Sequence, residues 1–295
     1  MRQWLRKVRL SFPGGFVINP AGIVVPKGEL KVGFNVSKGI SGSANTAAIT
    51  IWNLNEGHRN AVGKELDSVQ LEAGYMPPEG GGNVGVLFKG SIRDVKHTRD
   101  GTDIITEINC GDGDAAFRSA TISKTYPAGT PVPEVVEGIY KELEKKGLAR
   151  GEWKFPDQLE DFKRPYSMCG ACTREMDTLG RGKGFYWSSQ NETVEVIPAD
   201  GHLPGVVLIS PQTGMIDVPA ITDNGVQVSA LLNPEVRPNR TVQIESQVLE
   251  MNGEGGLYRV SQATYSGDNW DGDFRVSIHG EAIKGGKVDE GQRPK

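Results

Sequence analysis

Three cysteines in 295 residues make no disulfide framework. At this length a chain buries roughly three quarters of its unfolded surface, so a core needs neither disulfide nor metal. No apolar run approaches the ~20 residues of a membrane-spanning helix. The opening segment, MRQWLRKVRLSF, alternates Trp4, Val8 and Leu10 with charges and lacks the apolar stretch of a signal peptide. It reads as a first strand in a protein made in the cytoplasm. Basic residues are not in excess: the formal net charge is −4 and Lys and Arg are scattered, which leaves no electrostatic footprint for tight nucleic-acid binding.

Catalytic and metal-binding patterns are also scarce. The four histidines, His58, His97, His202 and His279, are dispersed, and none pairs with an evident Ser or Cys nucleophile. Gly80-Gly81-Gly82 lacks the following Lys-Ser/Thr and the helix of a phosphate loop. Asp112/Asp114 and Asp268/Asp271/Asp273 flank glycines and read as turn residues, because the twelve-residue spacing of a calcium loop is absent. Cys169-Gly-Ala-Cys172 is the one tempting motif. A helix start lowers a thiol pKa, which is how CxxC oxidoreductases work. Here the strand-to-helix context of such a unit is weak, and a zinc site needs two more ligands. Helix packing is the reading preferred for this pair. No catalytic, cofactor-binding or metal-binding residue is assigned, and no cofactor is expected.

What the chain has in quantity is glycine, 39 of 295, with 17 prolines. That glycine share is about twice the ordinary one and signals many turns between short strands. Strand-like runs cover Trp4–Phe12, Leu30–Val36, Ala47–Leu54, Ser68–Tyr75, Val84–Val95 and Asp103–Cys110. Asn55 is a plausible N-cap for a short helix over Asn55–Gly63. From about 113 to 205 the pattern turns mixed. Val135, Val136, Ile139, Tyr140 and Leu143 make one apolar stripe in a helix over Pro133–Gly147. A second helix is expected over Ser167–Leu179, with Ser167 as cap and Gly180 as terminator. A hairpin around Gln190-Asn191 follows. Strands return in Thr213–Ser246, where Val226, Val228 and Ala230 alternate with Gln227 and Ser229. A further strand is expected at Gln247–Glu254, then a hairpin of Leu257–Tyr265 with Asp273–Ala282. The final dozen residues read as a polar tail.

Several pieces in this order resemble one family. Ala73-Gly-Tyr75 with Leu87-Phe-Lys-Gly90, Cys110-Gly-Asp-Gly113, Thr213-Gly-Met-Ile-Asp-Val-Pro219, Leu231-Leu-Asn-Pro234 and Gly256-Leu-Tyr-Arg-Val260 are similar to the tail baseplate hub proteins of bacteriophages. That group includes the late control protein D family and the hub half of type VI VgrG proteins. Asn239 departs from the glycine common after the proline, but Asn also tolerates the left-handed conformation. The resemblance implies a mainly β fold with a mixed α+β insert: two tail-tube-like β-barrel domains, 1–112 and 206–283, bracketing a helix-containing domain, 113–205, with a tail at 284–295. It implies a structural virion protein and no enzyme. Three copies would form a pseudo-sixfold ring between a hexameric tail tube or distal tail protein and a central spike or fibre. A tape measure protein is a further possible partner. DNA passes through the channel without specific binding, and no membrane is engaged. The alternatives are a tail-tip cell-wall hydrolase, a CxxC oxidoreductase, or a hexameric tail-tube or terminator protein.

Overall fold

Alternation of buried and solvent-facing side chains places the strands of the first hundred residues. In the computed structural model the described residues are 5–20, 29–76, 82–223 and 225–289. Trp4, the Gly80-Gly81 loop tip and the tail from 290 onward lie outside them. The first half contains β1 (Arg6–Ser11), β2 (Val17–Ile18), β3 (Val32–Gly39), β4 (Thr46–Trp52), α1 (Glu56–Ala61), β5 (Ser68–Tyr75), β6 (Gly85–Asp100) and β7 (Asp103–Gly111). Asn55 caps α1 as its sequence suggests, accepting the His58 N–H at 2.9 Å. The insert follows with α2 (Asp114–Ser119), β8 (Thr121–Tyr126), α3 (Val132–Glu144), β9 (Ala149–Trp153), β10 (Tyr166–Ala171), α4 (Cys172–Lys183), β11 (Phe185–Ser189) and β12 (Thr193–Pro198). The second half adds β13 (Val206–Ile209), β14 (Ala220–Thr222), β15 (Gly225–Leu231), β16 (Thr241–Ile244), β17 (Leu257–Asp268), β18 (Phe274–Lys284) and β19 (Lys287–Val288).

The two β-rich halves belong to one fourteen-stranded sheet, with main order β14-β15-β18-β17-β3-β4-β7-β6-β5-β1-β2. Its seam is the antiparallel pairing of β17 with β3, from Gln262 opposite Gly39 to Asp268 opposite Gly33. One hydrophobic cluster fills both halves. Leu10, Ile49, Leu71, Phe88 and Ile108 come from the first half, and Val228, Tyr258, Val260, Tyr265 and Ile278 from the second. The insert has its own cluster, where the predicted stripe of α3 meets Cys172, Met176 and Leu179 of α4 and Trp187 of β11. Mainly β architecture around a helix-containing insert is thus the observed fold class.

Three expectations change. The helix placed over Ser167–Leu179 begins only at Cys172, because Tyr166–Ala171 pairs antiparallel with Thr121–Tyr126. Ser167 is therefore a strand residue whose hydroxyl meets Thr125 Oγ1 at 2.9 Å. Gly180 lies inside the helix, packed so closely on the Phe185 carbonyl that no Cβ fits, and Gly184 ends the helix at φ 73°. The strand expected over Gln247–Glu254 does not form. Ser246 Oγ accepts the N–H groups of Val248 and Leu249 at 3.2 and 3.1 Å, which turns the chain and removes those donors from any ladder. Asn239 does adopt the left-handed conformation, at φ 69°.

Candidate assembly interface

The residues singled out for chemistry do not converge. Cys169 is exposed on β10, whereas Cys172 is buried at the start of α4. Burial pushes the Cys172 thiol up to about 11 and the Cys110 thiol up to about 12. A redox dithiol needs the opposite shift. His58 stacks on Phe16, with ring centroids 3.9 Å apart, and His97 Nδ1 meets Thr106 Oγ1 at 3.1 Å. His202 lies beside the Leu203 carbonyl, and His279 sits on β18. Among the described residues no group of three or more His, Cys, Asp or Glu side chains is placed to hold a metal ion.

The aspartates divide. Asp268 is the last residue of β17 and opens the turn after it, accepting the N–H groups of Trp270 and Asp271, both at 2.7 Å. Asp112 is something else. It is fully buried, at 0% exposure, between the end of β7 and the hairpin of β11 and β12. Its carboxylate accepts Ser189 Oγ at 2.8 Å, the Asn191 N–H at 2.7 Å, the Glu192 N–H at 2.6 Å and Asn45 Nδ2 at 3.2 Å. Three of these four donors belong to the insert hairpin, so the carboxylate holds that hairpin to the sheet. Asn191 and Glu192 take positive φ, 57° and 62°, which turns both N–H groups toward Asp112. Flanking glycines hid this role, since Cys-Gly-Asp-Gly looks like any turn.

Other contacts extend the junction. Lys38 of β3 donates to Asn191 Oδ1 at 2.6 Å. Lys38 is 3% exposed, and burial pulls its amine down to about 8. Asn239 Nδ2 donates to Glu195 Oε2 at 2.7 Å and Arg240 Nη1 to Glu195 Oε1 at 3.1 Å. These bonds tie β12 to the turn before β16. Arg259 of β17 is fully buried, bonds Glu281 of β18, and donates Nη1 to the carbonyls of Ala199 and Gly201, both at 2.7 Å. The insert is therefore fastened to both β halves, at its entry and at its exit.

Gly42, in the β3–β4 turn, meets the insert at a third point. A Cβ there would overlap Asp177 Oδ1 and reach 2.9 Å from Trp187 Nε1. Those two atoms share a 2.6 Å hydrogen bond. Gly42→Ala is expected to destabilise by about 1–3 kcal/mol through overpacking. The checks are a thermal melt and the fluorescence of Trp187, whose indole loses its partner. An unchanged melt would show that the turn yields freely.

The outer surface is uneven. Among the described residues, the large exposed apolar side chains are Val206, Leu208, Ile216, Val218, Ile221, Val248 and Leu249, together with Trp270. All but Trp270 fall between 206 and 249. Three short segments carry them. The Glu245 N–H to Ile209 O bond at 3.0 Å, the Met215 N–H to Ser210 O bond at 2.9 Å and the Asn252 Nδ2 to Thr222 O bond at 2.9 Å tie these segments together. Clustered exposed apolar groups mark an interaction surface rather than a catalytic cleft.

Comparison with known proteins accords with this character. A family model described as baseplate hub gp41 matches residues 7–280. No curated protein matches. The 43 kDa tail protein of prophage MuSo2 from Shewanella oneidensis is similar in structure, with a TM-score of 0.64 at 10% identity, over 96% of this chain and 98% of that one. The E. coli c3393 protein aligns with a TM-score of 0.63 at 12% identity, over 97% and 79% of the two chains. It is described as a type VI secretion component similar to the T4 bacteriophage tail proteins gp27 and gp5. A tail protein from Neisseria meningitidis MC58 gives 0.63 at 9% identity, over 95% and 97%. At such identities the likeness establishes the fold.

Proposed function

Because this chain belongs to the baseplate hub gp41 family, a structural family of the phage tail, we propose that it works as a homotrimeric hub of a tail baseplate. In this reading 1–112 and 206–283 are two tube-like units, 113–205 is the insert between them, and 284–295 is a tail. Three copies then present six such units in a pseudo-sixfold ring. One side of the ring receives a hexameric tail tube or distal tail protein. The other receives the central spike or fibre, a tape measure protein is a further partner, and DNA passes through the channel. The protein is made in the host cytoplasm, ends in the virion, and carries no catalytic activity of its own.

The observation that carries the proposal is the union of both halves in one sheet and one core. A single chain so built contributes two rigidly related units to a ring, and a closed ring leaves no free sheet edges. The buried insert contacts suit a part that bears load rather than one that opens around a substrate.

The native mass of the purified protein tests this reading. A species of three chain masses is expected. A hexamer would favour a tail-tube or terminator protein instead, and a stable monomer that never enters a ring would sink the proposal.

A further inference from the structure

We propose that the ring closes by apposing two different sheet edges. Residues 216–223 of one copy lie along residues 94–99 of the next. This inference rests on the ring reading above and names the surfaces that make it.

Besides the short edge strands β2 and β13, each half of the chain has an edge segment without a strand neighbour on one side. In the first half β5 stops pairing at Ser68, opposite Ser91 of β6. Beyond that point β6 pairs only with β7, out to Asp100 opposite Asp103. Residues 94–99 therefore have no strand on their other side among the described residues. A groove of about 410 Å³ runs beside their first residues, lined by Val95 and His97 and by Arg59, Gly63 and Lys64 from the end of α1 and the turn after it; residues 96–99 extend beyond that turn. In the second half β14 ends the sheet. Just before it, the Ile216 N–H bonds Ser229 O at 2.9 Å, so 216–222 follows the outer side of β15. Exposed edges of this kind are pairing templates.

The two edges differ in a complementary way. The segment 206–223 carries Asp217 and Asp223 and no basic residue. Neither aspartate makes an ion pair among the described residues. Ile216, Val218 and Ile221 lie between them, exposed. The edge at 94–99 carries Lys96 and Arg99 against one acid, Asp94. Lys96 has only a 3.8 Å contact with Glu107, and Arg99 reaches the Gly101 carbonyl at 3.1 Å. The asymmetry holds for the halves as wholes. Residues 1–112 contain thirteen basic and eleven acidic side chains, whereas 206–283 contain four and ten. Like halves repel and unlike halves attract, which selects a second copy of this chain as the occupant. A contact between two different patches is head-to-tail, the kind that closes into a ring when the rotation between copies allows it and otherwise runs on as a filament.

Charge exchange tests the assignment. Asp217→Lys with Asp223→Lys is expected to weaken trimer formation roughly tenfold in association constant, because rim charges govern encounter and register. Adding Lys96→Glu and Arg99→Glu to the same chain restores opposite signs across the contact and is expected to recover the trimer. All four side chains are solvent-facing, and circular dichroism checks that each variant folds. A wild-type trimer indifferent to the aspartate changes, or a loss not rescued by the second pair, overturns the edge assignment and leaves the ring reading standing. A wild type that never trimerises overturns both. Thr98→Cys with Val218→Cys in a Cys169→Ser background gives an independent readout. A short bis-maleimide should yield covalent dimers and trimers only when both cysteines are present, and equal cross-linking of either single variant counts against the pairing.

Discussion

Asp112→Ala is expected to lower stability by about 3–5 kcal/mol and to loosen the insert from the sheet. The size follows from what remains behind. Ser189 Oγ and the N–H groups of Asn191 and Glu192 lose their acceptor around a carboxylate with no exposure, and Asn45 Nδ2 keeps only its bond to the Ser189 carbonyl. Each buried donor left unsatisfied costs roughly 1–3 kcal/mol, less whatever water enters the cavity. Lys38 also loses the main anion near it. Asp112→Asn separates charge from shape. Its amide keeps one acceptor but turns an NH₂ group toward N–H donors, so it should recover only a small part of the loss. Urea unfolding of the three proteins gives the energies. Limited proteolysis gives the location, with new cleavage expected at the borders of 113–205. A midpoint within error of the wild type would remove Asp112 from its role as the fastening point.

Lys38 supplies the second large effect, visible only as pH changes. Burial is the main cause of its shift, with Asp112 and Glu195 opposing it and Arg237 and Arg240 adding to it. The folded value of about 8 lies below the ordinary 10.5. Between these two values the unfolded chain binds the proton that the folded chain has released, so stability rises with pH. The contribution is complete above 10.5 and is lost as pH falls through about 8. Lys38→Met removes the titrating group while filling much the same space. The stability of the wild type relative to this variant should therefore climb by on the order of 3 kcal/mol between those limits. Other lysines and tyrosines titrate alike in both proteins and cancel. Urea midpoints at about pH 7.5, 9 and 10.5 check the slope, and a difference independent of pH would mean that water reaches the amine.

Much of this architecture is readable in the chain, for identifiable reasons. Val226, Val228 and Ala230 alternate because one face of β15 is buried, and the stripe of α3 repeats because one side of that helix meets α4. Asn55 acts locally, through a cap, whereas the stop of α4 is Gly184, four residues beyond the Gly180 to which the sequence points. Most of what escaped was set by distant partners. Tyr166–Ala171 is a strand because Thr121–Tyr126 lies beside it, and nothing local separates Ser-Met-Cys-Gly-Ala from the start of a helix. Gln247–Glu254 is the local exception: the hydroxyl of Ser246, the residue just before it, withdraws two of its donors. The junction around Asp112 was the least legible part. Its donors come from residues 45, 189, 191 and 192, and a carboxylate between two glycines carries no local sign of burial. The same holds for Lys38, which sits next to last in a strand as many surface lysines do.

The seam between β17 and β3 also bears on how the protein is made. Gly33 to Gly39 emerge early from the ribosome, whereas Gln262 to Asp268 emerge near the end of synthesis. Throughout that interval β3 offers a bare edge with an alternating apolar face, the kind of surface that captures strands from other chains. The first half cannot complete its sheet alone, so folding concludes only when the final hairpin docks, and long-range pairing of this sort is slow. A nascent chain stalled before Leu257 is thus a sticky object with an unfinished sheet. The cell making this protein must keep such chains apart until the last strand arrives.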